Sequence, residues 1–161
     1  MDKPGIIDKA VEAARSAQIR DDVCSRSVLV GLSTFFSEIP EDMVTASLSL
    51  LGGTGAASGS CGAYCAGLLA VGLKFNHSID DERSDPALMM EGIQKAVEYR
   101  DRFLDAYGTI LCPELHKIIF GRSFILTDPE QEEEFLKMEG HEVKCAEIVG
   151  GATRIAAEMI L

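Results

Sequence analysis

The sequence predicts an all-α fold, a compact bundle of about six to eight helices around a central helix rich in small residues. Three observations predict it. Apolar residues recur at helical spacing through most of the chain, no convincing stretch alternates with the period of two that a half-buried strand needs, and cap and stop residues recur at helix-length intervals. No internal repeat at a fixed period is evident.

Pro4 suits a first-turn position, and Ile6, Ile7, Ala10, Val11 and Ala14 follow at helical spacing, so residues 5–19 read as an amphipathic helix. Asp21 or Asp22 is expected to cap the next helix, along which Cys24, Val28, Gly31, Leu32 and Phe35 share a face. Pro40, Glu41 and Asp42 open a third, reaching Leu51 and stopped by Gly52 and Gly53. The fourth covers residues 61–75 and is crowded with small residues at Gly62, Ala63, Ala66, Gly67, Ala70 and Gly72. Each glycine costs about 1 kcal/mol relative to alanine in a helix interior. Their clustering asks for a compensating close approach by a neighbouring backbone or a cofactor, so this is the expected central helix.

Residues 76–85 read as a polar loop. Pro86 then starts a long helix whose apolar positions Leu88, Met89, Ile93, Val97, Leu104 and Tyr107 keep the period up to Gly108. Cys112 is followed by Pro113 and Glu114, which places it at the cap of a helix running to about Phe120. After a loop over residues 121–127, Asp128, Pro129 and Glu130 open a short acidic helix. A last helix, from His141 or Glu142 onward, carries Cys145, Ile148, Val149, Ala152, Ala156 and Met159 on one side.

At 161 residues the chain fits one domain, residues 1–161, long enough to bury roughly two-thirds of its unfolded surface without disulfide staples. Fifteen basic residues against twenty-six acidic ones leave a net charge of −11, which repels nucleic acid and anionic membrane surfaces. No charged residue lies between Thr45 and Leu73. Gly52, Gly53, Gly55 and Gly59 divide that run into pieces shorter than the roughly 20 residues a membrane span needs, so no span is expected. The N-terminus shows neither an export signal nor a transit peptide, and the expected location is cytoplasmic.

Five cysteines in a reducing compartment point to free thiols, metal ligands or redox chemistry before structural disulfides. Cys24, Cys61, Cys112 and Cys145 each fall at the start or on the apolar face of a different helix, so a bundle could bring them to one interior point. Burial of each as a small hydrophobe, without convergence, carries comparable weight on spacing alone. Cys65 lies one turn after Cys61 on the same side of its helix. Cys61 and Cys112 stand at helix starts, where free N–H groups and the positive dipole end favour thiolate, which makes them the candidate nucleophiles. N–H groups of the glycine-rich segment before Cys61 could donate to cluster sulfides or another anion, though a tight turn explains the glycines more simply. Neither paired C-x-x-C ligands nor C-x-x-C-H occurs, so no covalent haem is expected. The loop matches neither a P-loop nor a complete dinucleotide fingerprint, so no nucleotide is expected. His77, His116 and His141 are dispersed; His116, on the helix after Cys112, could approach the thiols. Tyr64 could hydrogen-bond a sulfur.

The segment Gly55-Ala-Ala-Ser-Gly-Ser-Cys61-Gly62-Ala63-Tyr64-Cys65-Ala66-Gly67-Leu-Leu-Ala-Val-Gly72-Leu73 resembles the signature of the C_GCAxxG_C_C family, small four-cysteine proteins for which redox activity or iron–sulfur binding is proposed. Cys24, Cys61, Cys112 and Cys145 match the family's cysteine order, and the resemblance runs from about residue 20 to the end. The motif departs where Ala66 replaces its glycine and Gly67 follows one residue later, which implies relaxed packing at that turn. Cys65 is an addition to the family's four. A related domain is associated with split-Soret cytochrome c, whose haem attachment sequence is lacking here.

The resemblance and the residues together lead to a cytoplasmic redox protein with a composite site of Cys24, Cys61, Cys112 and Cys145, preferentially holding an iron–sulfur cluster for electron transfer, with Cys65 as auxiliary ligand or resolving thiol. Two alternatives stay open. One is a metal-free thiol–disulfide exchange protein using Cys61 or Cys112; the other is a helical interaction domain, such as a homodimer, whose cysteines only fill the core. The redox partner is not legible.

Overall fold

The computed structural model describes residues 2–161, and among them it has nine α-helices and no strand. Helix α1 (Lys3–Asp21) starts where the Asp2 carboxylate accepts from the Gly5 N–H at 3.2 Å, and it buries Ile7, Ala10, Ala14, Ala17 and Gln18. Asp22 closes α1 in a left-handed conformation instead of capping the next helix as expected. Its carboxylate is committed elsewhere, to Gln18 Nε2 at 2.8 Å and His141 Nε2 at 2.6 Å. Helix α2 (Cys24–Leu32) therefore begins from Val23 with no side-chain cap.

Helix α3 is shorter than expected, Glu41–Ala46, and passes into a 3₁₀ turn over Ser47–Leu50. The break has a local cause. The Ser25 hydroxyl donates to the Ser47 carbonyl at 2.6 Å, and the Ser47 hydroxyl turns back to Val44 O at 2.7 Å, so α-helical pairing is interrupted. Gly52 and Gly53 then adopt φ of 62° and 83°, a reversal that glycine makes without steric cost.

Helix α4 (Gly62–Phe75) is the small-residue helix, burying Gly62, Ala63, Tyr64, Ala66, Gly67, Ala70 and Val71. Helix α5 (Ile79–Ser84) occupies what reads in sequence as a polar loop. The Ser78 hydroxyl accepts from the Asp81 N–H, and Asp80, Asp81 and Glu82 sit at its positive end, so capping and charge form one turn without apolar burial. Helix α6 (Pro86–Tyr107) is capped by Asp85 and ended by Gly108. Its inward face differs from the stripe the period suggests. Met89, Ile93 and Val97 are exposed, while Gly92, Tyr99 and Phe103 are buried, because the two aromatic rings offer the larger area to remove from water.

Helices α7 (Cys112–Phe120), α8 (Pro129–Lys137) and α9 (His141–Ile160) complete the chain. Helix α1 lies along α9 and α2, both of which pack on α4, and α6 crosses α4 and α9. The expected central helix is thus enclosed on three sides, with α9 equally interior. Tyr64, Tyr99, Phe103 and Tyr107 stack between α4 and α6. A second aromatic group, His116, Phe120, Phe124 and Phe135, gathers where α7 and α8 meet. Among the described residues no helix is long and apolar enough to cross a membrane.

Candidate functional site

Two of the four candidate cysteines are brought side by side by a single antiparallel bridge between Ser60 and Leu111. The Cys61 N–H donates to Ile110 O at 2.7 Å and the Cys112 N–H to Gly59 O at 2.8 Å. This clamps the start of α4 against the start of α7. Cys61 is the N-cap of α4, Cys112 the first residue of α7 and Cys24 the first residue of α2, while Cys145 lies just past the first turn of α9.

All four line one cavity of about 130 Å³. Between them its wall is mostly apolar, formed by residues such as Leu51, Leu115, Leu126, Phe135, Ile148 and Val149. Cys24, Cys61 and Cys112 stand at helix starts, where the positive dipole end favours anionic sulfur. Cys65 is not on this cavity. It faces a separate groove with Leu68, Leu69 and Met89, its sulfur 4.0 Å from Thr54 Oγ1 and from Ser60 O. All five cysteines are free thiols.

The four sulfurs are electrostatically unequal. The neighbouring Cys61 thiol holds the Cys24 thiol down to about 7, helped against burial by the backbone N–H groups of Gly52, Ser25 and Ala63. The contact with Cys24 and its own burial push Cys61 well above the usual thiol range, so the pair releases one proton readily and the second with difficulty. Burial, then the charge on Cys24, pushes the Cys112 thiol up to about 12 and the Cys145 thiol further still. The first thiolate thus forms within the Cys24–Cys61 pair; of the two positions that sequence reasoning favoured, Cys61 belongs to that pair, and burial pushes Cys112 the other way.

Gly62 makes this arrangement possible. A Cβ at that position would lie 2.7 Å from Cys24 Sγ and 2.5 Å from Leu50 O. Gly67 meets a different close approach, since a Cβ there would fall 2.0 Å from the Tyr99 hydroxyl. The displaced glycine of the motif therefore keeps tight packing, contrary to the relaxed turn expected from Ala66.

The rest of the wall includes polar groups, of which sequence reasoning passed over Gln18 and anticipated the approach of His116. Gln18 and Asp22 reach the cavity from α1, and Asp22 joins His141, at the start of the helix bearing Cys145, to the chain entering α2. Gln18 Oε1 is buried without a partner. Its signal was present in the sequence: a glutamine four residues after Ala14, on the apolar face of α1. His116 also lines the cavity, buried, with Nε2 3.5 Å from Cys112 Sγ. Helix α8 covers the cavity with Glu132, Phe135 and Leu136. Its approach is fixed by the stacking of Phe135 on His116 and by the Leu126 N–H, which donates to Ser58 Oγ at 2.7 Å.

Among the described residues no three His, Cys, Asp or Glu side chains are placed to hold one metal ion. A model described as "Putative redox-active protein (C_GCAxxG_C_C)" matches residues 23–159. No curated protein and no solved structure matches the chain.

Proposed function

The chain belongs to the C_GCAxxG_C_C family, and on that premise we propose that it is an electron-transfer protein whose Cys24, Cys61, Cys112 and Cys145 thiolates hold an iron–sulfur cluster. One observation carries the reading: sulfurs from four helices share a single cavity with a largely apolar wall. The donor set suits a cluster better than a lone ion, because a cluster takes its thiolates at separate irons across its body. The charges agree. Burial and then the charge on Cys24 raise the Cys112 and Cys145 thiols, and Cys24 together with burial raises Cys61, so four thiolates together need positive charge among them, as iron would supply.

When bound, such a cluster supplies one-electron transfer at a potential set by burial and by hydrogen bonds to its sulfurs. The protein's own contributions are separable. The backbone N–H groups of Gly52, Ser25 and Ala63 favour thiolate at Cys24, the Ser60–Leu111 bridge holds Cys61 and Cys112 in register, and the largely apolar wall that includes Leu115 and Phe135 keeps the site poorly hydrated. Anaerobic isolation followed by iron and acid-labile sulfide analysis and electron paramagnetic resonance tests the proposal. Stoichiometric iron and sulfide with a paramagnetic reduced state is the expected result; metal-free protein from cells supplied with iron refutes it.

The proton shared by Cys24 and Cys61 favours a second, metal-free reading. In it the Cys24 thiolate attacks a substrate disulfide and expels one substrate thiolate; Cys61, losing its proton to the departing sulfur, then attacks Cys24 Sγ of the mixed disulfide, breaks its bond to the substrate and releases the second substrate thiol, leaving a Cys24–Cys61 disulfide and a reduced substrate. Metal-free protein with a reversible two-electron thiol titration supports this version.

A further inference from the structure

We propose that His116 is a positioning residue of the four-thiol site: its Nε2–H donates to the Cys112 sulfur and holds that sulfur toward the cavity. The role of the site rests on the reading above, but the contact itself does not. Cys112 and His116 stand one turn apart on α7, and Nε2 lies 3.5 Å from Sγ, within reach of a hydrogen bond to sulfur.

The surroundings leave the imidazole no other polar role. It is 4% exposed, and its Nδ1 is buried with no partner. The ring plane is set by aromatic contacts alone: Phe135 stacks on it with centroids 4.7 Å apart, and Phe120 and Phe124 meet it edge-on at 5.4 and 5.8 Å. A phenylalanine would fill that box as well and would avoid a buried unpaired nitrogen, which costs about 1–3 kcal/mol. The remaining use for a polar ring here is the one polar atom it reaches, the Cys112 sulfur.

The tautomer follows from the same geometry. A neutral imidazole carries one hydrogen on its two ring nitrogens, and Nδ1 is buried with no partner to take it. Placing that hydrogen on Nε2 leaves Nδ1 a bare acceptor, whereas the reverse leaves a buried N–H without an acceptor, the rarer defect in folded proteins. Nε2–H toward sulfur is therefore the better arrangement, above all when Cys112 is a thiolate and can only accept.

The test compares the full chain carrying His116→Phe, which keeps the aromatic box, and His116→Gln, which keeps a donor, with the unaltered protein. In the reduced apo-protein, iodoacetamide labelling at pH 8 is read for each cysteine by mass spectrometry, with Cys145 as internal reference. The Cys112 to Cys145 labelling ratio should fall several-fold in His116→Phe and recover in His116→Gln; a ratio unchanged or raised in His116→Phe overturns the proposal. Should His116→Phe fail to fold, His116→Leu replaces it on the same criteria. In protein loaded with cluster, the midpoint potential should fall in the Phe variant at equal iron content, and an unchanged potential overturns it equally. If the unaltered protein takes up no iron, the cluster reading fails while the labelling ratio still decides the His116 contact.

Discussion

Replacing Gly62 by alanine adds one methyl group at the most crowded point of the site. The new carbon would stand 2.7 Å from Cys24 Sγ and 2.5 Å from the Leu50 carbonyl oxygen, against a comfortable carbon contact of about 3.5–4 Å. The carbonyl belongs to the backbone and yields little, so the sulfur must withdraw by about 1 Å. Overpacking of this kind costs about 1–3 kcal/mol, and the better helix propensity of alanine returns at most about 1 kcal/mol. The net loss is about 1–2 kcal/mol, a fall in Tm of about 2–8 °C for a chain of this length. A withdrawn sulfur also loses the Ala63 and Gly52 N–H groups and the Cys61 thiol, so its pKa returns from about 7 toward the usual 9.0. At pH 7 its thiolate fraction then drops about fifty-fold, while the more basic thiolate is intrinsically about eight-fold more reactive, leaving alkylation about six-fold slower. Scanning calorimetry and mass-resolved iodoacetamide kinetics at Cys24 read the two effects. A Gly62→Ala protein with unchanged Tm and unchanged Cys24 kinetics would refute the reasoning.

Tyr99→Phe should stabilise the protein by about 1 kcal/mol, seen as a rise in Tm of about 2–4 °C, because it removes a buried hydroxyl that has no partner. A lower Tm would mean that the hydroxyl is paired in solution. Two histidines give stability opposite pH dependences. The hydrogen bonds to Met138 O and Asp22 raise His141 above 6.5 despite its burial, so its contribution is complete below about pH 6.5 and is lost as pH rises through the higher folded value. Burial lowers His116 to about 4, so its contribution is complete above about pH 6.5 and is lost as pH falls toward 4, by up to about 3 kcal/mol. Urea midpoints across pH should therefore decline on both sides. Asp22→Asn should flatten the alkaline decline and His116→Phe the acid one; slopes identical to the unaltered protein would contradict both assignments.

The local features of the fold were legible because their causes are local. Proline, glycine and capping carboxylates mark both ends of α6 and the start of α8 in the sequence itself, and the small residues of α4 announce a helix that others approach closely. The inward face of α6 was not legible, since Met89, Ile93 and Val97 keep the helical period as well as Tyr99 and Phe103 do. Only the tertiary contact with Gly67 and Tyr64 selects between them. The meeting of four cysteines was anticipated from their places on four helices and their family order, but the Ser60–Leu111 pairing that sets Cys61 beside Cys112 was hidden, because it joins segments about fifty residues apart that carry no strand signal. Asp22 was misassigned for a related reason: its partner His141 is remote in sequence, and that contact withdraws it from capping α2.

The most direct test of a shared four-thiol site is the iron and acid-labile sulfide content of the anaerobically isolated protein beside its five single cysteine-to-serine variants. Substitution of Cys24, Cys61, Cys112 or Cys145 should each lower the content sharply, while Cys65→Ser, altered in a different groove, should match the unaltered protein. Equal loading in all five variants, or a loss confined to Cys65→Ser, would contradict the account.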